Sequence, residues 1–142
     1  MSYETVNPGG AKELLEGEQG WAYVDVRTPE EYAEGHVPGA FNIPIAVLGP
    51  GGRMEPNPDF IGVVERHFEP ANALVLGCAM GGRSAHACEL LASRGFARLV
   101  NMHGGFSGAR DQSGRLVEPG WADCGFPCES APDPERSYDA LR

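Results

Sequence analysis

A chain of 142 residues is about one domain long, enough to bury a real core. It carries 11 basic against 20 acidic side chains, a net charge of -9, and Lys12 is its only lysine. That balance argues against a nucleic-acid or anionic-membrane surface, because phosphates reward clustered Lys and Arg.

Hydrophobic residues make up 42% of the chain, so its 20 glycines and 12 prolines are expected in tight turns of a soluble globular domain. The segment Met1 to Thr5 lacks the basic start and apolar run of a signal peptide. Apolar runs such as Ala73 to Leu76 are far shorter than the ~20 residues that cross a bilayer. Cys78, Cys88, Cys124 and Cys128 are therefore expected as thiols in a reduced, cytoplasmic protein.

In chain order, Ala11 to Glu16 reads as a short helix ended by Gly17. Trp21 to Val26 is an apolar run of the kind that forms a strand buried on both faces. Thr28-Pro29-Glu30-Glu31 carries a capping threonine, a proline at the first helical position and acids in the first turn. Gly35 keeps that helix short, and Ala40 to Ile43 predicts a second strand broken by Pro44. Gly49 to Asn57 reads as a surface loop, and Asp59 to Phe68 as a helix. The strand Ala73 to Leu76 runs into Gly77-Cys78. A helix follows from Ser84 to Arg94, stopped by Gly95, and then a third short strand, Arg98 to Asn101. The signal weakens after Gly105, and residues 129–142 form a polar, proline-containing tail expected to fray beyond a domain of residues 1–128. Strands alternating with helices predict an α/β domain: a central parallel sheet of about five strands with helices on both faces.

Ligands of such sheets bind beyond the carboxyl ends of the strands. Cys78-Ala79-Met80-Gly81-Gly82-Arg83-Ser84 is the candidate there, a strand end, a glycine loop and a helix start. Adjacent glycines let successive N–H groups converge on one centre. Those amides and the positive end of the helix would favour a thiolate over a thiol, and would hold an oxyanion attached to the sulfur. The bland alternative is a small buried cysteine at a strand end.

Three stretches resemble a single-domain rhodanese, a sulfurtransferase. The first is Asp25-Val26-Arg27 with Glu31-Tyr32, Gly35-His36-Val37-Pro38-Gly39-Ala40 and Asn42-Ile43-Pro44. The second is Cys78 to Ser84, similar to the family's C-x-x-G-x-R-S loop, and the third is Gly104-Gly105-Phe106 with Trp121 and Gly125-Phe126-Pro127. The segment Ser107 to Arg115 is longer than in many relatives and could shape a pocket rim or a partner surface.

The resemblance implies ping-pong sulfur transfer through a persulfide on Cys78. A small sulfur-containing anion such as thiosulfate would be the donor, and cyanide, a small thiol or a protein thiol the acceptor. The chemistry requires an exposed thiolate and neither metal nor cofactor; a monomer is expected. The amides of Ala79 through Ser84 would cradle the persulfide, Met80 would line the entrance, and Arg83 would face the sulfonate. Arg83 has an equal alternative as an ion-pair partner of Asp25 or Glu30. Asp25, Arg27 and His36 are read as structural support of the site.

Two rival functions are weighed. Cysteine phosphatases and arsenate reductases place five residues between cysteine and arginine, whereas four, Ala79 to Gly82, stand here. The other rival is a non-catalytic binding module on the same scaffold. His86 and Cys88 form H-x-C, not a usual zinc spacing. Cys124 and Cys128 are ordinary thiols in the plain reading, and resolving thiols that accept sulfur from Cys78 in the sharper one.

Overall fold

The computed structural model describes residues 3–79 and 82–142, so Met80 and Gly81, both expected in the site, lie outside the described residues. Five parallel strands form the central sheet: β1 (Glu4–Val6), β2 (Ala22–Asp25), β3 (Phe41–Asn42), β6 (Ala73–Gly77) and β7 (Arg98–Met102), in the order β1-β7-β6-β2-β3. All five residues of β6 are buried, as a central strand covered on both faces requires.

Alternation along the strands divides the core in two. Val24, Leu74, Leu76 and Leu99 point to one face, where they pack with α3 (Phe60–His67) and α4 (Gly82–Ser93). Tyr23, Val75 and Val100 point to the other, against Ala11 of α1 (Pro8–Glu16), Tyr32 of α2 (Pro29–Glu34) and Trp121. Asn7 caps α1 by accepting from the Gly10 N–H.

Three expectations are corrected. The stretch Gly49 to Asn57 is not a plain loop: β4 (Ala46–Leu48) and β5 (Met54–Pro56) pair across a 3-10 turn at Pro50–Gly52. The weak region after Gly105 holds a second hairpin, β8 (Ala109–Arg110) with β9 (Leu116–Glu118). Its turn is closed by the Asp111 carboxylate, which accepts from the N–H groups of Ser113 and Arg115.

The tail is not frayed. Glu129 exchanges two backbone hydrogen bonds with His36, and the Asn42 N–H at the β3 edge donates to Arg136 O at 2.9 Å. Ser137 then caps α5 (Tyr138–Leu141), whose Tyr138 and Leu141 enter the core beside α3. The Asn57 amide donates to the Tyr138 hydroxyl at 3.0 Å, and His67 Nε2 meets Leu141 O at 2.7 Å. Two apolar side chains and these hydrogen bonds dock an otherwise polar tail.

Candidate active site

The strand β6 ends at Gly77 and delivers Cys78 to the carboxyl edge of the sheet. Helix α4 begins at Gly82, two residues earlier than its predicted start, so its first turn reaches the sulfur. The Ser84 N–H donates to Cys78 Sγ at 3.4 Å, and Ser84 Oγ lies 3.4 Å from the same sulfur. That hydroxyl is in turn 2.5 Å from Asn101 Oδ1, near the end of β7. The amide and the positive end of the helix put partial positive charge against Sγ.

Cys78 itself is 2% exposed, which departs from the exposed thiolate expected. The segment after β7 folds back against the backbone of the strand end. The Phe106 N–H donates to Cys78 O at 2.7 Å and the Ser107 N–H to Ala79 O at 2.9 Å. Gly105 makes this approach possible. Its φ of +61° lies in the left-handed region, and a Cβ there would clash with Cys78 O and stand 2.5 Å from Ala79 C, well inside van der Waals contact. The hairpin β8–β9 is thus rooted on the cysteine loop through Ser107.

A buried ion pair supports this floor. Asp25 at the end of β2 accepts from Arg27 Nε at 2.9 Å and from Nη2 at 2.7 Å, with both residues buried. Arg27 Nη2 also donates to Gly35 O at 2.6 Å, and its guanidinium lies over the Phe106 ring at 4.6 Å. The Asn42 amide ties the carbonyls of Asp25 and Arg27 together. His36 is 1% exposed, stacked on Tyr32 at 3.8 Å, and its Nδ1 meets Tyr32 O at 2.8 Å, so Nδ1 carries the proton.

Arg83 pairs with neither Asp25 nor Glu30. Its Nη1 and Nη2 meet Glu31 Oε1 and Oε2 at 2.8 and 3.0 Å, a bidentate pair. Asp25 is occupied by Arg27, while Glu30 at the second helical position is exposed. Glu31, at the third, folds back in a capping box with Thr28 and so faces α4. Burial alone would raise the Glu31 carboxyl, but the bonds from Arg83 and Thr28 outweigh it and hold it at about 2. Its stabilising share is present above the ordinary 4.5 and is lost as pH falls toward 2. Glu31→Gln should therefore lower stability at neutral pH by about 1 kcal/mol, after allowance for solvent screening of a half-buried pair. Urea titrations should find that gap closing between pH 4.5 and 2; a gap independent of pH would remove the ion pair as its source.

The other thiols divide by burial. Cys88 is fully buried on α4, and burial pushes its thiol up to about 12, so it is a small core residue. Cys124 and Cys128 are exposed, and the four thiols form no disulfide. The support from Ser84–Asn101, Glu31 and Gly105 had only weak sequence signals: an N3 acid in a capping box, and a Gly-Gly pair after a strand.

A family model described as the rhodanese-like domain matches residues 8–112. The Arabidopsis thaliana protein named "Thiosulfate sulfurtransferase 16, chloroplastic" is 43% identical over 88 residues, covering 62% of this chain and 72% of that protein. "Protein HIGH ARSENIC CONTENT 1, mitochondrial", from the same organism, is 36% identical over 130 residues, covering 92% of this chain and 68% of that one. Among solved structures, Rv0390 from M. tuberculosis superposes with a TM-score of 0.76 at 23% identity, over 90% of this chain and 98% of its own, a likeness of fold. The matched residues run from α1 through β8, hold four of the five sheet strands and include the cysteine loop, and this chain belongs to the rhodanese-like domain family.

Proposed function

We propose that the chain is a sulfurtransferase that carries a sulfane sulfur as a persulfide on Cys78. The observation that carries this reading is the placement of Sγ at the end of β6, 3.4 Å from the Ser84 N–H in the first turn of α4. Family membership and the thiosulfate sulfurtransferase among its relatives point the same way.

In the first half-reaction the Cys78 thiolate attacks the outer sulfur of thiosulfate. The Sγ–S bond forms, the S–S bond of thiosulfate breaks, and sulfite leaves with the electron pair. In the second, a nucleophilic acceptor, cyanide or a thiolate, attacks that outer sulfur and Sγ recovers its electron pair. The Ser84 N–H and the α4 dipole face Sγ, where they favour the thiolate that attacks in the first step and the thiolate that leaves in the second. No redox partner is needed, because the sulfur moves at one oxidation level.

The test is intact mass after incubation of the reduced protein with thiosulfate, for wild type and Cys78→Ser. Wild type should gain one sulfur atom, removable by cyanide; Cys78→Ser should gain none and lose turnover by at least ~10³-fold. No adduct on wild type with thiosulfate or with other sulfane donors would favour a non-catalytic recognition domain, a reading that the burial of Cys78 supports. Because one relative's name refers to arsenic, the same proteins are assayed with arsenate. Cys78-dependent arsenate turnover faster than sulfur transfer would overturn the proposal.

A further inference from the structure

A groove of about 460 Å³ opens beside the cysteine loop, between the β4–β5 hairpin, α3 and α4. Its walls are mostly apolar: Ile45, Met54, Phe60, Ile61 and Leu90. Leu48, which is paired in register with Met54, extends the apolar surface, and the two are 50% and 47% exposed. The inner wall includes Gly82 and Arg83. The next residue, Ser84, touches Cys78 Sγ at 3.4 Å, so the groove and the sulfur share the first turn of α4. A concave apolar volume of this size with a few polar groups has the character of a small-molecule site.

The charged groups around it select among ligands. Arg83 is already bidentate to Glu31, and His86 Nδ1 lies 4.0 Å from Glu89. Glu55 adds a carboxylate to the lining, on a chain whose net charge is -9. A thiol bearing carboxylates would find little unspent positive charge here and a repulsive field. An uncharged thiol with an apolar body would gain the burial of that body.

We propose that this groove is the acceptor site, and that it takes uncharged aryl or alkyl thiols in preference to anionic peptide thiols. The inference rests on the sulfur-transfer reading. The acceptor's thiolate attacks the outer sulfur of the Cys78 persulfide; the new S–S bond forms, the bond to Sγ breaks, and Sγ keeps the electron pair. The acceptor's proton passes to solvent, and the product is an apolar persulfide.

Two measurements test it, and only one needs turnover. In the first, the wild-type persulfide is discharged by 2-phenylethanethiol, glutathione or cyanide. The kcat/KM for 2-phenylethanethiol should exceed that for glutathione at least ~10-fold, the worth of modest apolar burial in a pocket. In Ile61→Asp and Met54→Gln the ratio of the 2-phenylethanethiol rate to the cyanide rate should fall, more in the former. Met54 is half exposed, so its variant keeps the test alive if Ile61→Asp fails to fold. In the second, ligand-observed NMR follows 2-phenylethyl methyl sulfide, which cannot accept sulfur, on the resting protein. Binding to wild type that is weakened in Met54→Gln is expected. Absence of binding, or equal rates for glutathione and 2-phenylethanethiol, would overturn the assignment. Failure of sulfur loading with binding intact would strike the proposed function and leave the groove's ligand class standing.

Discussion

Gly105→Ala should cost roughly 3 kcal/mol, or about 10 °C in Tm, and should lower sulfur transfer at least ~10²-fold. Two penalties combine. The left-handed backbone at this position disfavours any Cβ, and that Cβ would collide with backbone atoms of Cys78 and Ala79, not with a side chain that could swing away. Either the segment 104–107 lifts off, breaking the Phe106 to Cys78 and Ser107 to Ala79 hydrogen bonds, or the cysteine moves. The first removes the brace behind the cysteine loop, and the second displaces Sγ from the α4 turn. Thermal melts and the thiosulfate–cyanide assay read the two effects. Full activity in a destabilised protein would show that the floor under Cys78 is needed for stability alone.

Asp25→Ala should destabilise by about 3–5 kcal/mol, since it leaves the Arg27 guanidinium buried without its countercharge. Arg27→Met combined with Asp25→Ala should cost less than the single Asp25 change, because the buried charge is then gone. Equilibrium urea unfolding of the two single variants and the double variant closes this cycle. Additive losses would mean that the pair is not coupled and that Arg27 is held by Gly35 O and Phe106 instead.

The parts legible in the sequence are those set by neighbours along the chain. The β6 run and the Thr28-Pro29 helix start each carry their reasons within a few residues, and the former places Cys78 at the strand end. What escaped depends on distance. Strand β1 has three residues, none fully buried, and exists because β7 pairs with it. The β4–β5 hairpin is almost wholly exposed, so no alternation marks it. Glu31, not Glu30, meets Arg83 because a capping box turns the third residue of α2 back over its own helix start. The brace behind the cysteine loop was hidden for a similar reason: the Phe106 and Ser107 N–H groups that hold Cys78 O and Ala79 O come nearly thirty residues on.

The docking of residues 129–141 also sets an order of events during synthesis. Strand β3 pairs with β2 through residues 41 and 42 alone, yet the Asn42 N–H that donates to Arg136 O must wait for residue 136. The Asn57 amide waits likewise for the Tyr138 hydroxyl, and His67 for Leu141 O. A chain truncated near residue 128 would carry the cysteine loop and the five-stranded sheet, but with the flank of β3 and the far side of α3 open to water. Such a chain presents an unpaired strand edge, the feature through which unfinished sheets stick to one another.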